Sequence, residues 1–554
     1  MDAWSPVIGW RHGSVARMKD WRTGADSLRL AVTAALAGGD TAAERAKAVL
    51  SITAADLDDV IHAQFEAAAV ALTSGLGASP GAGVGKVYFS ADDAADAADR
   101  GEDVVLVRNE TTPADVHGMM VANGLLTTRG GLVSHAAVVA RGWGTPAVVG
   151  ADTIVIGDRC FSVGDVVVEE GDVISIDGAT GDVVLGEMAT ASGGPPEEFF
   201  TLLSWADEIR AGHLAVRANA DTGDDAMKAR ELGAEGIGLC RTEHMFLAAD
   251  RLPVVRRMIL ARDADEEGAA LEELGRVQQA DFEDILRAMD SLPVTVRLLD
   301  PPLHEFLPSV AELTLKEATE GLSDVEQQEL RAARTWAEHN PMIGTRGVRL
   351  GVLKPGLYAM QVRALLAAVQ TLRDAGLHPI VEVMIPLTVT RPELALARSW
   401  VEAEIEATQS DHSDITIGTM IETPRAALRA GDIAHDADFF SFGTNDLTQL
   451  TFGFSRDDVE TRMMPAYLDL GLLPANPFDT IDQFGVGALL RLAVEQGREA
   501  VPGLKMGVCG EHGGDPASIE LFHEIGLDYV SCSPYRVPIA RLTAAQAVLA
   551  SSSK

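Results

Sequence analysis

The chain has 554 residues, of which 47% are hydrophobic and 23% charged, the balance of a multi-domain globular protein. Its 45 Lys and Arg against 82 Asp and Glu give a net charge of −37, which repels nucleic-acid phosphates and anionic lipid headgroups. No apolar run reaches the roughly 18–20 residues that span a bilayer, no signal-peptide pattern opens the chain, and the four cysteines form no CxxC pair. We therefore expect a cytoplasmic, enzyme-sized protein with neither nucleic acid nor membrane as a partner.

The composition and the spacing of apolar residues change three times along the chain. Residues 1–75 are rich in Ala and carry apolar residues at helical spacing, including 69–72, before a Gly-rich break. Short Val and Ile runs between Gly and Asp predict a compact, β-rich α/β domain at 76–189. A Ser-Gly-Gly-Pro-Pro stretch predicts a linker at 190–212, and residues 213–550 alternate short apolar runs with longer helical patterns. The prediction is an α/β protein with an N-terminal helical segment, a small domain and a large domain.

The large domain carries the pattern of a (β/α)₈ barrel. Eight short apolar runs are separated by helical stretches over roughly 340 residues, a length within the range of that fold. The predicted strands are 214–219, 236–240, 294–299, 342–344, 379–385, 415–421, 438–443 and 505–509. In such barrels the chemistry is built at the carboxyl ends of the strands. Polar residues lie at or close to those ends here: Arg241, Arg297, Arg346, Glu422, Asn445, Asp446 and Cys509.

A histidine motif lies in the small domain at residues 127–142. Two glycines and Ser134 precede a run with good helix-forming character, so Ser134 can cap a helix whose first turn holds His135. The free N–H groups and positive dipole end of such a helix stabilise a phosphoryl group on an imidazole. Taken alone, the pattern also fits a histidine that only helps to cap the helix.

The whole sixteen-residue segment resembles the phosphohistidine motif of the phosphoenolpyruvate (PEP)-utilising enzymes, and most resembles the pyruvate, phosphate dikinase subfamily. The resemblance covers about residues 22–550 and implies that His135 carries phosphate. It also implies a swivelling phosphohistidine domain and a C-terminal TIM barrel that binds PEP or pyruvate. Plant members carry a regulatory threonine where Val133 stands, and valine has no hydroxyl to phosphorylate, so we do not expect that control here.

The barrel motifs agree with this resemblance. PEP carries a phosphate and a carboxylate, and the planar guanidinium groups of Arg241, Arg297 and Arg346 suit such anions. Two acids from adjacent strands, Glu422 and Asp446, suit Mg²⁺, although paired acids also occur as general acid/base couples. The cofactor we predict is Mg²⁺. The same two acids are expected to contact the substrate, together with Gly443, Thr444 and Asn445.

The last barrel motif places Cys509 at the end of the predicted eighth strand, between glycines. A lone cysteine is usually a small buried apolar residue, but at this end of a barrel it can also exchange a proton. The resemblance implies that Cys509 protonates the methylene carbon of the enolate. We expect the other three cysteines to be structural.

The resemblance does not establish which second partner gives the phosphoryl group to His135 or accepts it. A full dikinase begins with an ATP-grasp domain, and this chain starts roughly where that domain would end. Three hypotheses follow: a separate ATP-grasp subunit phosphorylates His135, a carrier protein accepts phosphate from it, or the chain binds PEP without turnover. We also expect a homodimer formed through the barrel, as in related barrels.

Overall fold

The structure is a computed structural model that describes residues 23–66, 69–112, 115–131, 134–190, 194–246, 251–408, 414–460 and 462–552. Within these ranges no helix combines the length and the apolar character needed to cross a membrane.

Three helices form the N-terminal segment: α1 (Gly24–Ala37), α2 (Ala42–Ser51) and α3 (Ala54–Ile61). Each begins after a threonine whose hydroxyl accepts a hydrogen bond from a backbone N–H in the first helical turn. The predicted helical stretch at 69–72 is wrong, because Leu72 N–H donates to Val183 O at 2.7 Å and the chain enters a strand at Thr73. Four residues are too few to hold a helix against such a sheet contact.

The small domain is a mixed α/β unit, as predicted. Its main sheet has the strand order β1-β11-β10-β3-β4-β5-β6-β2, with parallel pairing from β3 to β6, and β7–β9 form a small antiparallel sheet. The strands are β1 (Thr73–Ser74), β2 (Leu76–Ser79), β3 (Ala82–Tyr88), β4 (Val104–Arg108), β5 (Gly124–Thr127), β6 (Ala147–Val149), β7 (Val155–Ile156), β8 (Cys160–Val163), β9 (Val166–Glu169), β10 (Val173–Asp177) and β11 (Asp182–Leu185). The helices are α4 (Ala91–Asp99), α5 (Val116–Val121) and α6 (His135–Trp143).

Most of the predicted linker 190–212 is a helix, α7 (Glu197–Arg210). Glu197 and Glu198 in its first turn complement the helix dipole, and its apolar face is buried. That face joins a core with the N-terminal helices and the C-terminal helix, which includes Leu28, Val49, Leu57, Phe199, Leu202, Leu203, Ile539 and Leu542. The Pro-rich signal therefore marks only the few residues before Glu197, and burial of an amphipathic face decides the rest.

The large domain is a closed parallel barrel, which confirms the predicted fold class. Its strands are β12 (Ala215–Asn219), β13 (Ile237–Arg241), β14 (Pro293–Arg297), β15 (Ile380–Ile385), β16 (Thr416–Ile421), β17 (Phe439–Phe442), β18 (Lys505–Val508) and β19 (Tyr529–Cys532). Two strand assignments are wrong. Met342 and Ile343 belong to a short 3₁₀ helix, Pro341–Ile343, and Gly344 caps its C-terminus. The eighth strand is β19, so Cys509 follows the seventh strand, β18.

Helices surround the barrel: α8 (Gly223–Glu231), α9 (Thr242–Phe246), α10 (Leu252–Leu260), α11 (Ala264–Ala288), α12 (Val310–Thr319), α13 (Asp324–Trp336), α14 (Val348–Leu353), α15 (Pro355–Asp374), α16 (Arg391–Ala407), α17 (Pro424–Leu428), α18 (Ala430–Ala434), α19 (Thr444–Phe452), α20 (Arg456–Val459), α21 (Met464–Asp469), α22 (Val486–Ala500), α23 (Pro516–Glu524) and α24 (Val537–Ser552).

The barrel interior holds a charged cluster around Glu382. Arg217 Nη1 on β12 donates to Glu382 Oε2 at 2.8 Å, Thr295 Oγ1 donates to the same oxygen at 2.7 Å, and Lys505 pairs with Oε1. Burial raises the pKa of Glu382, but the charges and hydrogen bonds of Arg217 and Lys505 outweigh it and lower that pKa to about 2. Strands β12, β14, β15 and β18 are thereby tied together inside the barrel.

Candidate active site

A cleft of about 2910 Å³ opens at the carboxyl ends of the barrel strands and is bounded on one side by the small domain. From the small domain, Val139, Arg141 and Trp143 of α6 line it. Eight of the residues predicted from the sequence line the barrel side: Arg241, Arg297, Arg346, Glu422, Gly443, Asn445, Asp446 and Cys509. The fold therefore gathers side chains that are up to 268 positions apart in the chain, from Arg241 to Cys509.

Arg241 is the last residue of β13, and the carboxylate of Asp221 holds it in place. Asp221 Oδ1 accepts the Arg241 N–H at 2.6 Å, and Oδ2 lies 3.2 Å from Arg241 Nε and 2.8 Å from His244 Nδ1. Although burial raises the pKa of Asp221, the Arg241 charge and the His244 contact lower it to about 2. Asp221 is thus an anion at neutral pH that fixes both the backbone and the guanidinium of Arg241.

Arg297 is the last residue of β14 and is buried between two carboxylates. Its Nη2 donates to Glu243 Oε1, and its Nη1 lies 3.1 Å from Asp300 Oδ2. Arg297 Nε has no hydrogen-bond partner, and neither has Glu243 Oε2. Buried polar groups are rarely left unpaired, so this part of the cleft has unused donor and acceptor capacity for a ligand.

Arg346 reaches the cleft from a loop rather than from a strand end. It follows the 3₁₀ helix Pro341–Ile343 and precedes α14. Its guanidinium pairs with Asp300 through Nε and Nη2 and with Asp446 through Nη1, at 3.2 Å from Oδ1. The predicted role of Arg346 does not require a strand, because the loop between β14 and β15 delivers it to the same edge of the barrel.

Glu422 directly follows β16 and is fully buried. Its Oε1 accepts the Leu387 N–H at 2.6 Å, whereas Oε2 has no hydrogen-bond partner. Burial and the negative charges of Asp446 and Asp300 raise the pKa of Glu422 against the opposing effect of Arg346 and Arg297. A buried carboxylate beside other carboxylates, with one oxygen unpaired, fits a site that binds a cation.

A divalent ion would find two protein ligands here, Glu422 and Asp446. In the described part of the chain no group of three or more His, Cys, Asp or Glu side chains is placed to hold a metal ion. Mg²⁺ normally takes one or two carboxylates and completes its shell with water and substrate oxygens, so the residues present fit Mg²⁺.

The start of α19 supplies the neighbouring predicted residues. Gly443 precedes the helix, and a Cβ at this position would lie 2.6 Å from Glu422 Oε2, so only glycine leaves room beside that oxygen. Asn445 lines the cleft, and its side-chain Oδ1 accepts the Glu511 N–H at 3.1 Å. The hydroxyl of Thr444 is fully buried and lies 2.8 Å from His512 Nδ1, so the predicted contact of Thr444 with the substrate stays a prediction.

Cys509 follows β18 and is buried, with Sγ 3.8 Å from Phe442 O. Its carbonyl accepts a hydrogen bond from Asn219 Nδ2 at 3.1 Å, which ties the first and seventh strands together at the cleft. Burial raises the pKa of the Cys509 thiol to about 11. At neutral pH the group therefore carries its proton, as a proton donor must.

His135 is the first residue of α6, and Ser134 caps that helix by accepting the Ala137 N–H at 3.4 Å, as predicted. The imidazole of His135 and the whole of Val133 lie outside the described part of the structure. The other end of α6 packs on the barrel: a Cβ at Gly144 would lie 2.4 Å from the ring of Tyr535, and Gly144 has φ +70°. Glycine is needed here for both reasons.

Residues 197–549 match the PEP-binding domain of the PEP-utilising enzymes, and residues 101–181 match the mobile domain of the same enzymes. The chain belongs to the PEP-utilising enzyme family. It is 49% identical over 544 residues to the chloroplastic pyruvate, phosphate dikinase of Mesembryanthemum crystallinum and 48% identical over 540 residues to pyruvate, phosphate dikinase 1 of Arabidopsis thaliana. It is also 48% identical over 541 residues to pyruvate, phosphate dikinase 2 of Zea mays. These alignments cover 95–96% of this chain but only 55–60% of the relatives' own lengths.

Four residues of this PEP-utilising enzyme that shape the site were missed at the sequence level: Asp221, Glu243, Asp300 and His512. Two of them had a signal, since Glu243 and Asp300 follow a predicted arginine by two and three residues within the same motif. Asp221 lies two residues after the end of β12, and the polar residues predicted at strand ends did not include it. His512 had no signal, because only the fold brings its ring against Thr444.

Proposed function

We propose that this PEP-utilising enzyme transfers the phosphoryl group of PEP to His135 and releases pyruvate, which is one half-reaction of a pyruvate, phosphate dikinase. The observation that carries the proposal is the single cleft in which three arginines, two carboxylates and a thiol converge beneath the helix that begins at His135. The named relatives and the matched domains support it. The reverse direction would form PEP from phosphohistidine and pyruvate.

In this proposal the arginines hold the anionic groups of PEP. Asp221 holds Arg241, and Glu243 and Asp300 hold Arg297, so both guanidinium groups are oriented before the substrate arrives. Positive groups that are already oriented stabilise the charge that develops on the phosphoryl group and the enolate. The transfer breaks the bond between phosphorus and the enol oxygen and forms one between phosphorus and an imidazole nitrogen of His135.

The Glu422 and Asp446 carboxylates would hold Mg²⁺, which when bound would neutralise charge on the phosphoryl and enolate oxygens. Gly443 leaves space beside Glu422, and Asn445 lines the cleft next to it. The two carboxylates therefore act as a metal-binding pair in this proposal rather than as a general acid/base couple.

Cys509 completes the half-reaction by donating its thiol proton to the methylene carbon of the enolate, which gives pyruvate and a thiolate. The thiolate then recovers a proton from water. In the reverse direction the thiolate removes a proton from the methyl group of pyruvate. A buried thiol that is protonated at neutral pH supports the role of acid.

The phosphoryl group on His135 must continue to, or come from, a second reaction partner. We propose a separate ATP-grasp subunit or domain as that partner, because the relatives that this chain matches are dikinases. The cytoplasmic location and the homodimer formed through the barrel stay predictions.

The test is incubation of the purified chain with ³²P-labelled PEP and Mg²⁺. We expect an acid-labile, base-stable label in stoichiometric amount, released pyruvate, and loss of the label in His135→Ala. His435→Asn, an exposed histidine on the barrel, is the matched control and should label like the wild type. A label that persists in His135→Ala would refute the assignment of His135. If the wild-type chain binds PEP but is not labelled, the alternative that the chain binds PEP without turnover would replace the proposed function. Chase of the label with AMP, pyrophosphate and an ATP-grasp polypeptide, against a small histidine carrier protein, then identifies the partner.

A further inference from the structure

His512 lies completely buried behind the cleft and joins three separate segments of the barrel domain. It belongs to the 3₁₀ helix Glu511–Gly514 that follows Cys509. Its Nδ1 lies 2.8 Å from Thr444 Oγ1, and its Nε2 lies 2.9 Å from Pro477 O.

These contacts fix the protonation pattern of the ring. A carbonyl oxygen only accepts hydrogen bonds, so Nε2 carries the proton that is donated to Pro477. Burial lowers the pKa of His512, so the ring is neutral and Nδ1 is an acceptor. The hydroxyl of Thr444 therefore donates its proton to His512 Nδ1 and is not available as a donor to a substrate.

The hydrogen bond sets the distance between two functional segments. Thr444 is the first residue of α19, whose next two residues are Asn445 and Asp446. On the other side, Gly510 packs so closely that a Cβ there would lie 2.0 Å from Thr444 Oγ1. Asn445 and Glu511 add two more links, from Glu511 N–H to Asn445 Oδ1 at 3.1 Å and from Asn445 Nδ2 to Glu511 Oε1 at 3.3 Å.

We propose that His512 is a positioning residue that holds the Cys509 loop in register with the Asn445–Asp446 turn. The inference rests on the proposed function, because it assigns Cys509 to the carbon end of the enolate and Asp446 to its oxygen end. Groups from both segments must contact the two ends of one small substrate at the same time. A displacement of about 1 Å in such a site can lower the rate about 10²-fold. His512 is completely buried and therefore acts through its contact with Thr444.

Three variants separate positioning through Thr444 from a general packing role. His512→Asn can still place an amide oxygen near the position of Nδ1 and accept from Thr444, whereas His512→Gln can keep a donor to Pro477 but loses that acceptor. Thr444→Val removes only the hydroxyl and keeps the volume. We expect kcat for pyruvate formation to fall about 10²-fold in His512→Gln and Thr444→Val, with a much smaller change in KM for PEP. His512→Asn should lose about tenfold at most, the equivalent of one ordinary hydrogen bond.

The double variant His512→Gln/Thr444→Val should have a kcat no lower than that of either single variant, because the two substitutions remove the same interaction. The inference would be overturned if the losses of kcat in the two single variants added up in the double variant, or if His512→Asn and His512→Gln lost the same amount of kcat. PEP binding and thermal unfolding of each variant identify those that fail to fold, and Thr444→Val remains informative when a His512 variant does not fold. The proposed function is tested separately by wild-type labelling: if the wild type labels and all three variants turn over like it, only the positioning role is refuted.

Discussion

The guanidinium of Arg346 bridges Asp300 and Asp446, with Nη1 3.2 Å from Asp446 Oδ1. One residue proposed to bind the substrate is thus paired with one proposed to bind Mg²⁺. Their side chains are 13% and 16% exposed, so the pair is mostly shielded from water. Because a ligand that takes Asp446 also competes for Arg346, the two groups are expected to respond to substrate and metal together.

Replacing Arg346 by lysine should reduce PEP-dependent labelling of His135 by at least about 10²-fold. A compact ammonium group cannot span Asp300 and Asp446 or bind an anion bidentately as the planar guanidinium does. Initial rates of labelling measure the effect. Arg363→Lys, whose side chain is exposed and pairs with Glu404, is the matched control and should keep the wild-type rate. Equal rates in the two variants would exclude Arg346 from the site.

Replacing Asp221 by asparagine should raise KM for PEP about tenfold or more and change kcat less. The amide keeps the shape of the carboxylate but removes the charge that holds Arg241 and contacts His244. Steady-state kinetics with PEP as the varied substrate measure this. Asp374→Asn on the exposed end of α15 is the control, and an unchanged KM in Asp221→Asn would contradict the role of this anion.

Loss of Glu422 and loss of His135 should differ in their effects on labelling from PEP and on proton exchange of pyruvate. Glu422→Gln should abolish both the labelling from PEP and the exchange of methyl protons of pyruvate with solvent, since both need the carboxylate that would hold Mg²⁺. His135→Ala should abolish labelling alone. Proton NMR of pyruvate in D₂O follows the exchange, and EDTA added to the wild type should reproduce the Glu422→Gln result. Exchange that survives EDTA would argue against a metal in this step.

The raised pKa of Cys509, about 11, predicts a pH dependence with a definite sign. Removal of a proton from pyruvate needs the thiolate, so exchange should rise as the pH approaches 11. Protonation of the enolate needs the thiol, so pyruvate formation from PEP should fall over the same range. Cys509→Ala should lose the exchange at every pH, whereas Cys160→Ala in the small domain should not. An exchange rate that is flat with pH would assign the proton transfer to another group.

Glu382 should stabilise the barrel in a pH-dependent way. Its pKa is lowered from 4.5 to about 2, so its contribution is fully present above pH 4.5 and is lost as the pH falls toward 2. Glu382→Gln removes the anion from the buried Arg217 and the partly exposed Lys505. We expect the free energy of unfolding to fall by about 3 kcal/mol at pH 7, and the difference from the wild type to narrow below pH 4.5. Chemical denaturation measures it. Glu273→Gln, which breaks an exposed pair with Arg257, should change stability by less than about 1 kcal/mol.

The sequence predicted the large domain well because short buried strands leave a strong apolar signal. The prediction failed at 342–344, where Pro341 removes a backbone donor and a 3₁₀ helix forms, and it left out β19, which has only four residues. The identity of the eighth strand changed, but Cys509 stayed at the same edge of the barrel, since every strand of a parallel barrel ends on that edge. The site prediction was therefore insensitive to the error.

By itself, the sequence determined which side chains could bind an anion, hold Mg²⁺ or carry a proton, because chemical type and motif are local properties. Only the tertiary structure decided how those groups are held. Asp221 is set against Arg241, Asp300 lies between two arginines, and His512 receives the hydroxyl of Thr444. Such contacts join residues that lie between three and 68 positions apart. They depend on strand order and burial, which a linear pattern of residue types does not contain.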